Sequence, residues 1–272
     1  INPDVGAGHH SHCITGGPHT KFGIYHNLLE DIKRIVSEYD MKLVGIHSHI
    51  GTGIFDAEKF REAMDITLGV AKQVEGLEFV DFGGGIGIPY KEEQTPIDLV
   101  AFGTGVSEHF DEFCKTYGSE LELKIEPGRF LVCEAGTLLA RVTTLKSTPA
   151  HQFVGCDTGF NHLIRPMAYG SFHKIRNASS MEGETSAIVL GGNICESGDM
   201  FTQNSDGPED REVTTLKEGD VVAIMDAGAY GMSMSMQYNM RQRPAELLIT
   251  KDGNKKLIRE RESYEDIVRN FC

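Results

Sequence analysis

Cys195 and Glu196 stand side by side in the stretch NICESGD (residues 193–199), which Gly191, Gly192 and Gly198 bracket. A thiol next to a carboxylate in such a turn has three readings. It can be a small buried hydrophobe, one ligand of a metal site, or a proton donor beside a group that reads charge. Three more stretches carry residues able to do chemistry. HSHIGTG holds His47 and His49, GGGIGIPY opens at Gly83, and KIEPGR holds Glu126 and Arg129. An imidazole at a strand end can stack on a flat ring, bind a metal or cap the strand. His47 and His49 are expected to point apart, which counts against a shared metal. GHHSHC (residues 8–13) is the better metal lure, but no carboxylate follows it at a recognisable spacing, so no metal is expected. The glycines from Gly83 can close their N–H groups on a phosphate or simply make a tight strand-to-helix turn. They are not a dinucleotide fingerprint, because the third glycine of GxGxxG would fall at Ile88. Glu126 can hold a protonated ring nitrogen or form an internal salt bridge with Arg129.

Elements of regular rhythm must position these stretches. Residues 41–50 and 77–85 read as strands, the second ending in glycines, and residues 121–129 as a third. Between the first two, residues 56–74 have helical spacing, with Phe60, Met64, Leu68 and Ala71 on one stripe and Asp56 as N-cap. Pro96 near a first turn predicts a helix over residues 96–117, and residues 26–39 form a further amphipathic helix. Strand and helix in alternation define a parallel α/β fold. That rhythm does not choose between an open sheet and a closed barrel. In a barrel, ligands bind at the carboxyl ends of the strands, where all three motifs fall. After about Glu134, short β-branched runs cut by glycines replace the helices, as in GTLLARVTTLKS, SAIVLGGNI and DVVAIMDAGAYG. They predict a mostly antiparallel β domain. The expected division is residues 1–133 and 134–272, the second a β-sandwich or barrel-like domain. Residues 202–212 read as a polar surface loop.

Composition excludes several classes. The chain has 272 residues, 40% hydrophobic and 24% charged, as in ordinary soluble proteins. A net charge of −14 argues against a nucleic-acid partner. No apolar run is long enough for a membrane span, and the opening INPDVGAGHH lacks the charged start and apolar core of a signal peptide. The six cysteines are scattered without a CxxC pair, so a reducing cytoplasm is expected.

HSHIGTGI, VDFGGGIGIPY, IEPGRFLV, LIRPMAYGSFHKI, NICESGD and DAGAYGMSMSMQYN occur in this order. Together they resemble the diaminopimelate decarboxylase family, enzymes that use pyridoxal 5'-phosphate (PLP). The resemblance covers essentially the whole chain. It implies the later part of a PLP-binding (β/α)8 TIM-like barrel followed by a β domain of the alanine racemase-like fold. It also implies decarboxylation of meso-2,6-diaminopimelate to L-lysine and CO2, and a homodimer with shared active sites. By the same resemblance, His49 stacks on the cofactor ring. Gly84, Gly85 and Thr52 hold its phosphate, Thr52 standing where the family usually has Ser. Glu126 pairs with the ring nitrogen, and Gly128 joins the cofactor contacts. Arg129 and Tyr230 reach both cofactor and substrate, while Arg165 and Tyr169 bind substrate. Cys195 becomes the proton donor to Cα, and Glu196 the partner of the distal ammonium.

The family's Schiff-base lysine lies on an early barrel strand upstream of these motifs, so the chain is expected to begin within the protein, and to be inactive alone. Lys21 is not assigned that role. Two alternatives stay open: an ornithine- or arginine-type decarboxylase, whose family typically has Asp after the Cys, and a non-catalytic homologue acting as a regulatory or assembly partner.

Overall fold

The computed structural model of the chain describes residues 1–8 and 14–272. His9, His10, His12 and Cys13, the metal lure of the sequence, lie outside them. The described residues form two compact units, Ile1–Leu131 and Val132–Cys272.

In the first unit, three short strands form a parallel sheet with Phe79–Asp81 between Gly45–His47 and Glu122–Lys124. The register aligns Gly45 with Phe79 and Glu122, and His47 with Asp81 and Lys124. Gly45 lies under the Phe79 ring, which a Cβ at that position would meet at 2.2 Å and have to displace. The strands are shorter than the apolar runs, but pairing continues past their ends. Ser48 N–H donates to Asp81 O at 2.9 Å, Phe82 N–H to Lys124 O at 3.0 Å, and Glu126 N–H to Gly83 O at 2.8 Å. Three motifs are thereby laid side by side at one end of the sheet.

Helix Ala57–Ala71 starts where Asp56 accepts the Glu58 N–H at 2.8 Å. Its stripe of Phe60, Met64, Leu68 and Ala71 is buried, as the 3.6-residue period requires. Helix Leu99–Tyr117 starts later than Pro96 suggested. Asp98 caps it, its Oδ1 accepting the Val100 and Ala101 N–H groups, both at 3.0 Å, and Gly118 ends it at φ +89°. Pro96 therefore precedes the helix: a side chain that satisfies two orphan donors sets the boundary more strongly than a ring that only presets φ. The predicted helix over residues 26–39 narrows to Leu29–Glu38. Helices and sheet share one core, in which Phe60 meets Phe102 and Phe82 meets Phe110 edge to face. Full burial of each such side chain is worth about 1.5–3 kcal/mol.

The second unit is built on six strands in the order Arg211–Thr214, Thr185–Gly191, Gln152–Cys156, Leu138–Ser147, Val221–Ile224, Ile175–Asn177. Only Gln152–Cys156 with Thr185–Gly191 is a parallel pair among them. Ala140 and Val142 are buried while Leu139 and Arg141 are exposed, the period-2 alternation of a strand with one face on a core. That core gathers Val154, Leu163, Ile188, Leu190, Val222 and Ile224. A separate hairpin pairs Glu246–Ile249 with Lys255–Arg259. Residues 202–212 are largely exposed, as expected, but they are not all loop. Thr202 is fully buried and its hydroxyl accepts the Leu190 N–H at 3.0 Å. Gln203–Asn204 pairs with Gly207–Pro208, and Arg211 already begins a strand. The middle of the segment is exposed as its polar composition suggests, but Thr202 and Gln203 are buried with their polar groups hydrogen-bonded inside the fold. Among the described residues no helix is long and apolar enough to cross a membrane.

Candidate active site

The aligned strand ends in the first unit make a cradle of backbone. A Cβ on Gly84 would lie 2.0 Å from Glu126 O, one on Gly85 2.3 Å from Gly51 O, and one on Gly83 2.6 Å from Ser48 O. Gly83 and Gly85 also hold φ of +67° and +98°, so both sterics and conformation demand glycine. The Gly84 N–H donates to His49 Nδ1 at 3.0 Å. The lone pair is therefore on Nδ1, and the ring proton of the neutral imidazole is on Nε2. Burial holds the His49 pKa below its usual value, with the nearby Glu126 charge opposing in part. The Thr15 hydroxyl fixes the backbone here by donating to His49 O at 2.7 Å. Buried Ser48, whose hydroxyl accepts from Thr67 at 2.8 Å, anchors the same segment to helix Ala57–Ala71.

A cavity of about 400 Å³ opens beside this cradle, lined by Thr15, Phe22, Gly23, His47, His49 and Glu126 among others. His47 and His49 thus do not point apart. Residues two apart return to the same face of an extended chain, and both imidazoles line the one cavity. Glu126 meets His47 Nε2 at 3.4 Å. His47, Asp81 and Glu126 each bring one ligating atom to within 4.8 Å of the others. Nearby, Arg129 donates from Nε to Thr52 Oγ1 at 3.2 Å and from Nη1 to the Tyr90 hydroxyl at 2.7 Å. Sequence reasoning singled out Thr52 and Arg129 but missed their meeting, and it missed Tyr90 and Asp81. Tyr90 closes the motif GGGIGIPY, and Asp81 precedes its glycines, so position within a singled-out stretch was the available signal.

In the second unit, Arg165 opens the short helix Arg165–Tyr169 and is only 2% exposed. Tyr169, at the other end of that helix, is half-buried. Cys195 and Glu196 are exposed, which removes the reading of Cys195 as a buried hydrophobe. Asp199 shapes their loop. Its buried carboxylate accepts the Phe160 N–H at 2.6 Å on Oδ1 and the Ile194 N–H at 2.7 Å on Oδ2. Burial pushes the Asp199 pKa up, against the pull of those two hydrogen bonds. Gly192 makes the approach possible, since a Cβ there would lie 2.3 Å from Asp199 Oδ2. Tyr230 holds φ +60°, a conformation costing a non-glycine residue about 1–3 kcal/mol and typical of functional positions. Its loop is clamped by Gly228, whose N–H donates to Cys133 O at 3.0 Å and whose Cα leaves no room for a side chain under Val132 O.

Residues 1–133 match the family model described as pyridoxal-dependent decarboxylase, pyridoxal binding domain. The diaminopimelate decarboxylase of Methanothermobacter thermautotrophicus is 44% identical over 276 residues, which cover 99% of this chain and 63% of that protein. A crystal structure of diaminopimelate decarboxylase aligns with a TM-score of 0.92 at 34% identity, over 98% of this chain and 65% of that one. The structure of the Helicobacter pylori enzyme complexed with L-lysine aligns at 0.86 and 34%, over 99% of this chain and 65% of that one. Residues 1–133 are thus similar to the pyridoxal-binding domain of the pyridoxal-dependent decarboxylases, and the fold is that of the later part of a TIM-like barrel, followed in sequence by a β domain. The chain is similar along nearly its whole length to diaminopimelate decarboxylases, of which it spans just under two thirds.

The cofactor of that family is pyridoxal phosphate. The residues present fit it: a cavity in the size range of small-molecule sites, a neutral imidazole and a carboxylate on its wall, and strand-end backbone bare of side chains.

Proposed function

We propose that the protein decarboxylates meso-2,6-diaminopimelate to L-lysine and CO2 with PLP as cofactor. The observation that carries this reading is the pairing of His49 and Glu126 on the wall of one cavity, with the His49 tautomer set by the Gly84 amide. PLP, when bound, supplies an electron sink for the pair left behind as CO2 departs. Glu126 offers its carboxylate to the ring nitrogen and favours the protonated ring. Neutral His49 offers its face to that ring without adding a competing cation. The Gly84 amide is committed to the imidazole, so the phosphate falls to the Gly85 backbone and the Thr52 hydroxyl, with Gly128 and Arg129 as further cofactor contacts and Tyr230 in a role toward both phosphate and substrate.

Cys195 donates the proton that Cα needs after CO2 has left, a general-acid role that suits an exposed thiol on a loop held by Asp199. Diaminopimelate carries a zwitterionic distal group. Glu196 complements its ammonium and Arg165 its carboxylate, while Arg129, Tyr169 and Tyr230 are further substrate contacts. Ornithine lacks that carboxylate and so forgoes the charge-assisted hydrogen bonds that diaminopimelate would make. The loop of Cys195 serves the site of a second copy, in a homodimer in the cytoplasm, where exposed thiols stay reduced.

The test is the Cys195→Ala holoenzyme. Its kcat is expected to fall roughly 10²-fold or more with PLP binding retained; an unchanged kcat removes the role. Equal CO2 release from diaminopimelate, ornithine and lysine by the unaltered enzyme rejects the substrate.

A further inference from the structure

Arg165 enters the core of the second unit with 2% of its surface exposed, and His173, at 1%, lies against it. Arg165 Nη1 is 2.9 Å from His173 Nε2. On the other side of the ring, His173 Nδ1 is 2.8 Å from Met225 O. These two contacts leave one assignment. A guanidinium nitrogen can only donate, so Nε2 must accept; a carbonyl oxygen can only accept, so Nδ1 must carry the proton. His173 is therefore neutral, with its tautomer and ring plane both set. The anchor is rigid. Strand Ile175–Asn177 pairs with Val221–Ile224, and the pairing runs on through Met225 N–H to Lys174 O at 2.9 Å, directly beside the imidazole. Helix Arg165–Tyr169 is thereby tied through a side chain to the edge of the six-stranded sheet.

We propose that His173 is the positioning residue for Arg165: it accepts one guanidinium N–H and so orients the rest of the group toward the distal carboxylate of the substrate. This rests on the reading of Arg165 as a substrate ligand. A long arginine side chain has much rotamer freedom to lose. Holding one nitrogen before substrate arrives removes much of that cost from binding. A histidine suits the task better than a carboxylate. A carboxylate bonded directly to the guanidinium would compete with the substrate for it, whereas a neutral imidazole holds one N–H by geometry and adds no charge of its own. The Asp226 carboxylate acts on Arg165 through space.

Two amide variants separate the ring's two roles. His173→Gln keeps an acceptor near the position of Nε2, and His173→Asn keeps a donor near that of Nδ1. In the holoenzyme, His173→Asn is expected to raise KM for diaminopimelate about tenfold or more, the scale of a lost hydrogen bond to a charged group. His173→Gln is expected to restore most of that loss, with kcat little changed in both. A raised KM in Arg165→Lys alongside unchanged KM in both His173 variants overturns the positioning role and leaves Arg165 as ligand. An unchanged KM in Arg165→Lys overturns both. The ring itself gives a readout that needs neither activity nor a variant. Imidazole nitrogen NMR of the unaltered protein should show Nδ1 protonated and Nε2 bare for His173. A proton on Nε2 overturns the inference even if the His173 variants fail to fold.

Discussion

Two cysteines of one β unit have opposite fates. Cys156 is buried in the sheet, its Sγ 3.3 Å from Gly191 O, and burial pushes its pKa up to about 12. At neutral pH it stays a thiol, and the thiolate is the nucleophile. Cys133 is likewise buried, with its thiol donating to Asp226 O at 3.1 Å. Cys195 and Cys272 are exposed. In the native protein iodoacetamide should therefore modify Cys195 and Cys272 and spare Cys133 and Cys156. Peptide mapping after a short exposure checks this, and a Cys272→Ser variant isolates the Cys195 signal. Labelling of Cys156 at the rate of Cys195 would contradict the burial.

The loop NICESGD shows what an element needs beyond its reactive residue. Asp199 holds it because a carboxylate has two acceptor oxygens, and two backbone N–H groups converge on them. Asn has one acceptor and would turn an amide N–H toward a second donor. Asp199→Asn is thus expected to cost about 1–3 kcal/mol in stability and to lower kcat by misplacing Cys195. Gly192→Ala drives a Cβ onto the same carboxylate, so it damages the same clamp. The double variant should lose less than the sum of the singles, the mark of a shared contact. Additive losses by urea denaturation would mean that Asp199 and Gly192 act on separate parts of the loop.

At the scale of the whole molecule, the proposed residues fall in two units. His49, Thr52, Glu126 and Arg129 lie within Ile1–Leu131, and Arg165, Cys195, Glu196 and Tyr230 within Val132–Cys272. If the Cys195 loop serves a second copy, inactive variants should complement. Mixing Cys195→Ala with Glu126→Ala holoenzyme under conditions of subunit exchange is expected to restore activity that neither shows alone. No recovery, with exchange confirmed by mixed labels, would place Cys195 in the site of its own chain.

The sequence by itself determined the helices, the change from α/β to β, and the stretches that hold the candidate site. Those signals are local: Asp56 caps its helix two residues on, and the stripe from Phe60 to Ala71 repeats every turn. The resemblance to diaminopimelate decarboxylases was legible too, because motif order is a property of the chain. Tertiary structure alone decided which singled-out residues meet. Arg129 reaches Thr52 across 77 residues, and no local period encodes that distance. His47 joins His49 in one cavity because the chain stays extended past the strand end. Thr202 turned inward because a Leu190 amide twelve residues away needed an acceptor, and His173 mattered only once a sheet edge brought Met225 beside it. Local propensity acts over a few residues, whereas sheet register couples distant ones, so a site built on aligned strand ends exists only after the strands have paired.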